Sequence, residues 1–168
     1  MSHSLSQVQD QLVALLPRLR RFARSLTRHP ADADDLVQTA LERALMRLEQ
    51  WQAGSRLDSW MFGIIHNAWI DEVRARRRRD RVLTAQEAGE HVADAASEAP
   101  IQGLSLQAAF EQLDEEQREA VLLVLVEGLS YKEAAGVLNV PIGTVSSRIA
   151  RGRESLEALL GGREGGLR

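Results

Sequence analysis

The sequence predicts an all-α protein: two small helical domains joined by a flexible linker. Three observations carry that prediction. Apolar residues recur at three-and-four spacing along both halves of the 168-residue chain, the signature of amphipathic helices. Helix-stopping and helix-starting residues divide those stretches. Between the halves, residues 82–106 lose the periodicity and are dominated by Ala, Glu, Gly and Ser, with Pro100 and Gly103 interrupting. A segment that long does not fit as a loop inside one compact domain. The expected organisation is a first domain over 1–81, a linker over 82–106, a second domain over 107–161 and a disordered tail over 162–168.

The elements follow in order. Leu12, Leu15, Leu16, Leu19, Phe22, Ala23 and Leu26 form the apolar face of a first helix. Arg28-His29-Pro30 ends it, because proline disfavours a helical residue before it. A second helix starts near Asp32–Asp35, acids suited to a helix N-terminus. It carries Leu36, Val37, Ala40, Leu41, Ala44, Leu45 and Leu48. Gln52–Leu57, with Gly54, reads as a short loop. A third helix runs from about Asp58 to Arg79, its core supplied by Trp60, Met61, Ile64, Ile65, Ala68 and Trp69. It ends in Arg74, Arg76, Arg77, Arg78, Arg79 and Arg81, six arginines in eight positions.

In the second half, Leu106–Leu113 reads as a short helix. Asp114 can cap the next, with Gln117 three residues on. By periodicity alone Ala120–Val126 fits a buried strand. The helix-forming Glu115–Glu119 before it and Gly128 after it favour a buried helix. Ser130-Tyr131-Lys132-Glu133 is a capping box, opening a helix over Tyr131–Leu138 with Ala134, Ala135 and Leu138 as its packing face. Asn139-Val140-Pro141 makes a turn, and Pro141 suits the first position of a new helix. There Val145, Ile149, Gly152, Leu156, Leu159 and Leu160 point one way. Thr144, Ser147, Ala150, Arg151 and Glu154 point the other, with Ser146 and Arg148 flanking. Small polar residues and arginines at the start of a second helix suit a reader of the DNA major groove. An ordinary helical hairpin with a solvated outer face fits the same pattern.

Composition removes other classes. There are no cysteines, so disulfides, Cys-ligated zinc and thiol catalysis are excluded. The longest apolar run, Ala120–Val126, is seven residues, against roughly 20 for a transmembrane helix. No secretory signal opens the chain, so the expected location is the cytoplasm. The cluster His29, Asp32, Asp34 and Asp35 invites a metal site, but acids at a helix start are explained by capping. No enzyme activity, cofactor or metal is expected. The net charge of −3 argues at first against DNA, whose binding is driven by positive charge. Its distribution argues otherwise: residues 1–81 balance at +4, 82–109 at −4 and 110–168 at −3.

The unit from Leu113-Asp-Glu-Glu-Gln-Arg-Glu-Ala-Val through Gly128-Leu-Ser-Tyr-Lys-Glu-Ala-Ala to Val140-Pro-Ile-Gly-Thr-Val-Ser-Ser-Arg-Ile-Ala-Arg-Gly-Arg resembles domain 4 of bacterial extracytoplasmic-function sigma factors, of the sigma-70 family. Asp34-Asp35-Leu36-Val37-Gln38-Thr39-Ala40-Leu41 and Ser59-Trp60-Met61-Phe62-Gly63-Ile64-Ile65-His66-Asn67-Ala68-Trp69-Ile70-Asp71, with the arginine run, resemble domain 2 of the same family. The resemblance implies a dissociable subunit that binds core RNA polymerase and directs promoter-specific initiation, restrained by an anti-sigma factor. It implies −35 reading by Ser146, Ser147 and Arg151, with Thr144 and Arg148 on phosphates. Many relatives carry Lys or Arg where this chain has Ser146. It also implies −10 melting and reading by a flipped-base pocket at Gly54, Ser55 and Arg56, by Asn67, and by Arg74, Arg76, Arg77, Arg78 and Arg79. Asp35, Leu36, Gln38 and Glu42 match the surface that grips the clamp helices of the polymerase largest subunit. Core packing is the simpler role for at least one of Trp60 and Trp69. Leu15–Thr27 and Ser130–Ala135 are similar to general-stress sigma factors of alphaproteobacteria.

Two other readings remain open on these residues. A stand-alone helix-turn-helix repressor explains 107–160 but leaves the first half idle. A sigma-like decoy that sequesters an anti-sigma factor keeps the fold, yet has no use for the arginine run.

Overall fold

The computed structural model describes residues 5–85 and 105–161, and these are helical with no strand among them. The order is α1 (Leu5–Thr27), α2 (Pro30–Met46), a 3₁₀ turn (Leu48–Gln50), α3 (Leu57–Thr84), α4 (Leu106–Glu111), α5 (Glu115–Val121), a π turn (Leu122–Val126), α6 (Tyr131–Leu138) and α7 (Ile142–Leu160). Most of the expected linker and the whole tail lie outside the described residues. The third helix runs five residues past the expected Arg79, to Thr84.

Helices α1, α2 and α3 pack as a three-helix unit. Leu19, Phe22, Phe62, Met61 and Ile65 are its fully buried centre, and the Phe22 and Phe62 rings meet edge to face at 5.2 Å. Of the apolar face expected of α1, Leu12, Leu19, Phe22, Ala23 and Leu26 are buried and Leu15 and Leu16 half-buried, with Val8 extending it at its start. Pro17 lies inside α1 on its exposed side. The missing backbone bond there leaves a carbonyl that water can reach, which lowers the usual cost of an interior proline. Leu45, expected in the core, is exposed instead. It stands at the edge of the apolar sector, whereas Ala44 before it is buried and Leu48 after it packs against the core.

In the second half α5 and α6 cradle α7. Ala120–Val126 is helical but not buried throughout. Leu122 and Leu123 are buried, whereas the widened π turn swings Leu125 and Val126 into solvent. Asp114 stands at the α5 N-cap without capping a backbone N–H; its carboxylate instead accepts from the Gln117 side chain at 3.4 Å. Pro141 is the residue before α7 rather than its first, a one-residue difference at a helix end.

The two halves pack on each other, α1 against α5 and α3 against α6. Their meeting surface is rich in charge. Arg118 is buried there and donates to the Ser25 carbonyl, in the last turn of α1, and to the Leu113 carbonyl, both at 2.9 Å. Burial, with Arg28 nearby, pulls its guanidinium below the ordinary value. A cation is well placed at a helix C-terminus. Trp69 Nε1 donates to Glu115 at 3.2 Å, and His66 faces Glu119 at 3.6 Å.

Candidate nucleic-acid interface

The helix-turn-helix forms as its local chemistry requires. Ser130 Oγ accepts from the Glu133 N–H at 3.1 Å, and the Glu133 carboxylate accepts from the Ser130 N–H at 2.7 Å. Two backbone donors of the first turn of α6 are thereby satisfied. Asn139 ends α6 in the left-handed region, φ 54°, which asparagine tolerates better than most residues. The chain then turns into α7, which buries Val145, Ile149 and Gly152. A Cβ on Gly152 would lie 2.6 Å from Val121 Cγ2, so glycine is what allows α5 to cross this close.

That burial decides what α7 presents. Ser146, Ala150 and Arg151 are exposed, while Thr144 and Ser147 are half-buried. Ser147 Oγ donates to the Thr144 carbonyl at 3.0 Å. Arg148 does not stand free as a phosphate contact. Its side chain is 16% exposed and pairs with Glu116 at 3.1 Å. Arg151 makes no ion pair among the described residues, leaving its whole fork available.

The second surface lies on the first half. Ser55 folds back on Gln52, its N–H at 3.0 Å and its Oγ at 2.7 Å from that carbonyl. Gly54 supplies the φ of +94° the turn needs. Arg56 then forks onto Asp58, with contacts of 3.1 and 2.8 Å. Burial alone would raise the Asp58 carboxyl. Donors from Arg56, the Ser59 N–H and Arg18 outweigh it and hold the group below its ordinary value. The Arg56 guanidinium is raised in turn, chiefly by its hydrogen bond to Asp58. A cleft of about 740 Å³ opens beside this loop, with Ser55, Arg56, Trp60, Gly63 and Asn67 on one wall and Ser130, Lys132, Glu133 and Gly136 of the helix-turn-helix on the other. Three of the sequence-predicted −10 residues therefore share one cavity. Gly54 sits in the adjoining turn.

Arg74, Arg76, Arg77, Arg78 and Arg79 are all exposed along α3. Arg76 pairs with Glu72 and faces Asp32 at 3.7 Å, its guanidinium over the Trp69 ring. The other four make no ion pair among the described residues. On α2, Asp35, Gln38 and Glu42 are exposed on one face, but Leu36 is 3% exposed and belongs to the core. It is not available to a partner. Leu45 and Met46 continue the exposed face, a role sequence periodicity assigned to burial in the case of Leu45. Trp60, expected in the core and half-buried against it, also lines the cleft, as does Lys132, which the sequence did not single out; only the fold brings them together. Trp69, by contrast, is buried.

Comparison with known proteins matches this arrangement in order. The profile for "Sigma-70, region 4" matches residues 103–156, and that for "Sigma2 domain of PhyR" matches residues 12–66. The ECF RNA polymerase sigma factor EcfG of Rhodopseudomonas palustris is 37% identical over 153 residues, covering 91% of this chain and 84% of the relative. The chain belongs to the ECF sigma factors. ECF RNA polymerase sigma factor SigM of Mycobacterium tuberculosis is 35% identical over 144 residues, covering 86% of this chain and 72% of that one. Among solved structures, the sigma factor RpoE in complex with the anti-sigma factor NepR from Bartonella quintana superposes with a TM-score of 0.75 at 31% identity, covering 94% of this chain and 98% of that one. This ECF sigma factor accordingly acts in promoter-specific transcription initiation with RNA polymerase. No described helix is long and apolar enough to cross a membrane.

Proposed function

We propose a division of labour along the chain. Residues 1–81 hold the polymerase and read the −10 element, and residues 107–161 read the −35 element. The cleft carries the first assignment: Ser55, Arg56 and Asn67 converge on one cavity, beside a helix bearing unpaired arginines. Trp60 adds an aromatic face to that wall, against which an unstacked base can lie. Arg74, Arg77, Arg78 and Arg79 hold the phosphates of the separated strand. On α7, Ser146 and Ser147 allow close approach, Arg151 reads a base edge and Thr144 contacts phosphate. Arg148 reaches phosphate only by leaving Glu116. Asp35, Gln38 and Glu42, with Met46 beyond them, grip the clamp helices of the polymerase largest subunit.

An anti-sigma factor is the expected restraint, supported by the likeness to a sigma factor solved with one. The chain works in the cytoplasm, without enzymatic activity, metal or cofactor. A decoy or a stand-alone repressor is not favoured beside a sigma-factor relative matched along 91% of the chain. Run-off transcription tests the reading. Purified chain and core polymerase, on a promoter library, should yield start sites absent with core alone. Replacing Arg77, Arg78 and Arg79 by Ala should abolish open-complex formation while leaving polymerase binding within about twofold, since a phosphate contact is independent of a remote protein interface. No chain-dependent transcripts would sink the assignment.

A further inference from the structure

The meeting surface of the two halves contains a carboxylate with no role in its own half. Glu127 follows the π turn, its N–H donating to the Leu122 carbonyl at 2.9 Å. Gly128, at φ +74°, reverses the chain directly after it. Widened turns of this kind recur at functional sites. Here the turn delivers Glu127 into the seam, its side chain 0% exposed. Both of its charged partners come from α1: Arg18 Nε and Arg21 Nε, each at 2.7 Å. Arg18 also donates to the Glu127 carbonyl and to Asp58, both at 3.0 Å.

A second set of contacts lies at the cleft. Arg56 Nη1 donates to Glu133 at 3.0 Å and to the Gly128 carbonyl at 3.3 Å. Asn67 Oδ1 accepts from Asn139 Nδ2 at 3.1 Å. Arg56 and Asn67, two of the residues assigned above to the −10 element, are thus engaged by the helix-turn-helix. A nucleotide entering the cleft would meet Glu133, a like charge for its phosphate, and the wall of α6.

We propose that this closed arrangement is a self-inhibited resting state of the free chain, latched by Glu127 between Arg18 and Arg21, with α6 capping the −10 cleft. The inhibitory consequence rests on the −10 assignment above; the closure itself does not. The latch is suited to opening. Burying the Glu127 carboxylate costs solvation that its attraction to Arg18 and Arg21, whose side chains stay 30% and 50% exposed, only about repays. On separation the carboxylate returns to water. Attraction between charges weakens with salt, and contacts between domains are the default place for relative motion.

The chain has no cysteine, so Glu49→Cys and Glu157→Cys, both exposed, accept a fluorophore pair cleanly. Energy transfer in the free chain should be high at low salt and fall as NaCl rises. Glu127→Gln, and independently Arg21→Ala on the opposite side, should lower it already at low salt. Circular dichroism and a cooperative melt would confirm that both variants fold. In run-off transcription with limiting chain, both should give about tenfold more transcript, because a chain mostly closed binds in proportion to its open fraction. Transfer unchanged in both variants would overturn the latch. Opening without any rise in transcript would overturn the inhibition. A wild-type chain giving no transcript at all would overturn the promoter-reading assignment instead, while transfer still decides the closure.

Discussion

Gly152→Ala tests the packing that aims the recognition helix. The added methyl would lie 2.6 Å from Val121 Cγ2, where a carbon pair at rest stands about 3.5–4.0 Å apart. Something near 1 Å must therefore be found. Val121 is 3% exposed, and a β-branched side chain in a helix has one favoured rotamer, so α7 must move from α5. Overpacking of this kind costs about 1–3 kcal/mol. Against it stands a gain of about 1 kcal/mol for replacing glycine inside a helix. The two can nearly cancel in the single variant, so the informative measurement is a double-mutant cycle in urea. In a Val121→Ala background the obstruction is gone, and Gly152→Ala should stabilise by about 0.5–1 kcal/mol. The coupling between the two sites should be about 1–3 kcal/mol. A coupling below about 0.5 kcal/mol, the scatter for independent sites, would refute the claim that glycine is required by the approach of α5.

Three further outcomes are expected. Arg151→Ala should cost about 1–3 kcal/mol at one −35 base pair and relax selectivity there; equal activity across all −35 variants before and after would exclude base reading. Leu36→Ala should cost about 2–5 kcal/mol of stability as a core truncation, whereas Met46→Asp should leave the melt unchanged and weaken polymerase binding by about 1–2 kcal/mol; co-sedimentation with core polymerase and thermal melting separate the two. Asp58 is held below its ordinary 3.8, so the stability it contributes is complete above that value and is lost as pH falls through the lower folded one. The stability difference between wild type and Asp58→Asn should accordingly be flat near neutrality and shrink on acidification, and a difference that grew in acid would contradict the assignment.

The helices were legible because their periodicity, caps and turns are local. The Ser130 capping box and the Asn139 turn are written in adjacent residues, and both form as read. What was hidden depends on chain segments far apart. Leu36 and Leu45, nine positions or about two and a half turns apart, stand at opposite edges of a broad apolar sector, and the fit of α2 against α1 and α3 buries the first and exposes the second. Arg148 looked free because Glu116, its partner, sits 32 residues earlier on a different helix. The cleft was half visible: the Gly54–Arg56 loop announced itself by its glycine, whereas Lys132 and Trp60 join it only through the packing of α6 on α3. Glu127 carried no signal at all, since an acid after an apolar run reads as the solvated end of a helix.

The same packing brings together the opposite charges that sum to the net −3. The +4 of residues 1–81 and the −3 of residues 110–168 are not unrelated averages. Arg18, Arg21 and Arg56 of the first half meet Glu127 and Glu133 of the second across the seam. Part of the positive charge that a polyanion would seek is thus already neutralised by the chain itself. Duplex DNA offered to the free chain competes against those internal carboxylates, and salt weakens the remaining arginines through counterion release. The isolated chain should therefore bind promoter duplex only weakly at physiological salt, in the micromolar range or above, as measured by fluorescence anisotropy. Adding core polymerase should bring the affinity to nanomolar, because the clamp then holds the first half at the DNA and the arginines act at high local concentration. Nanomolar binding by the chain alone would mean that the seam does not hold Arg18, Arg21 and Arg56.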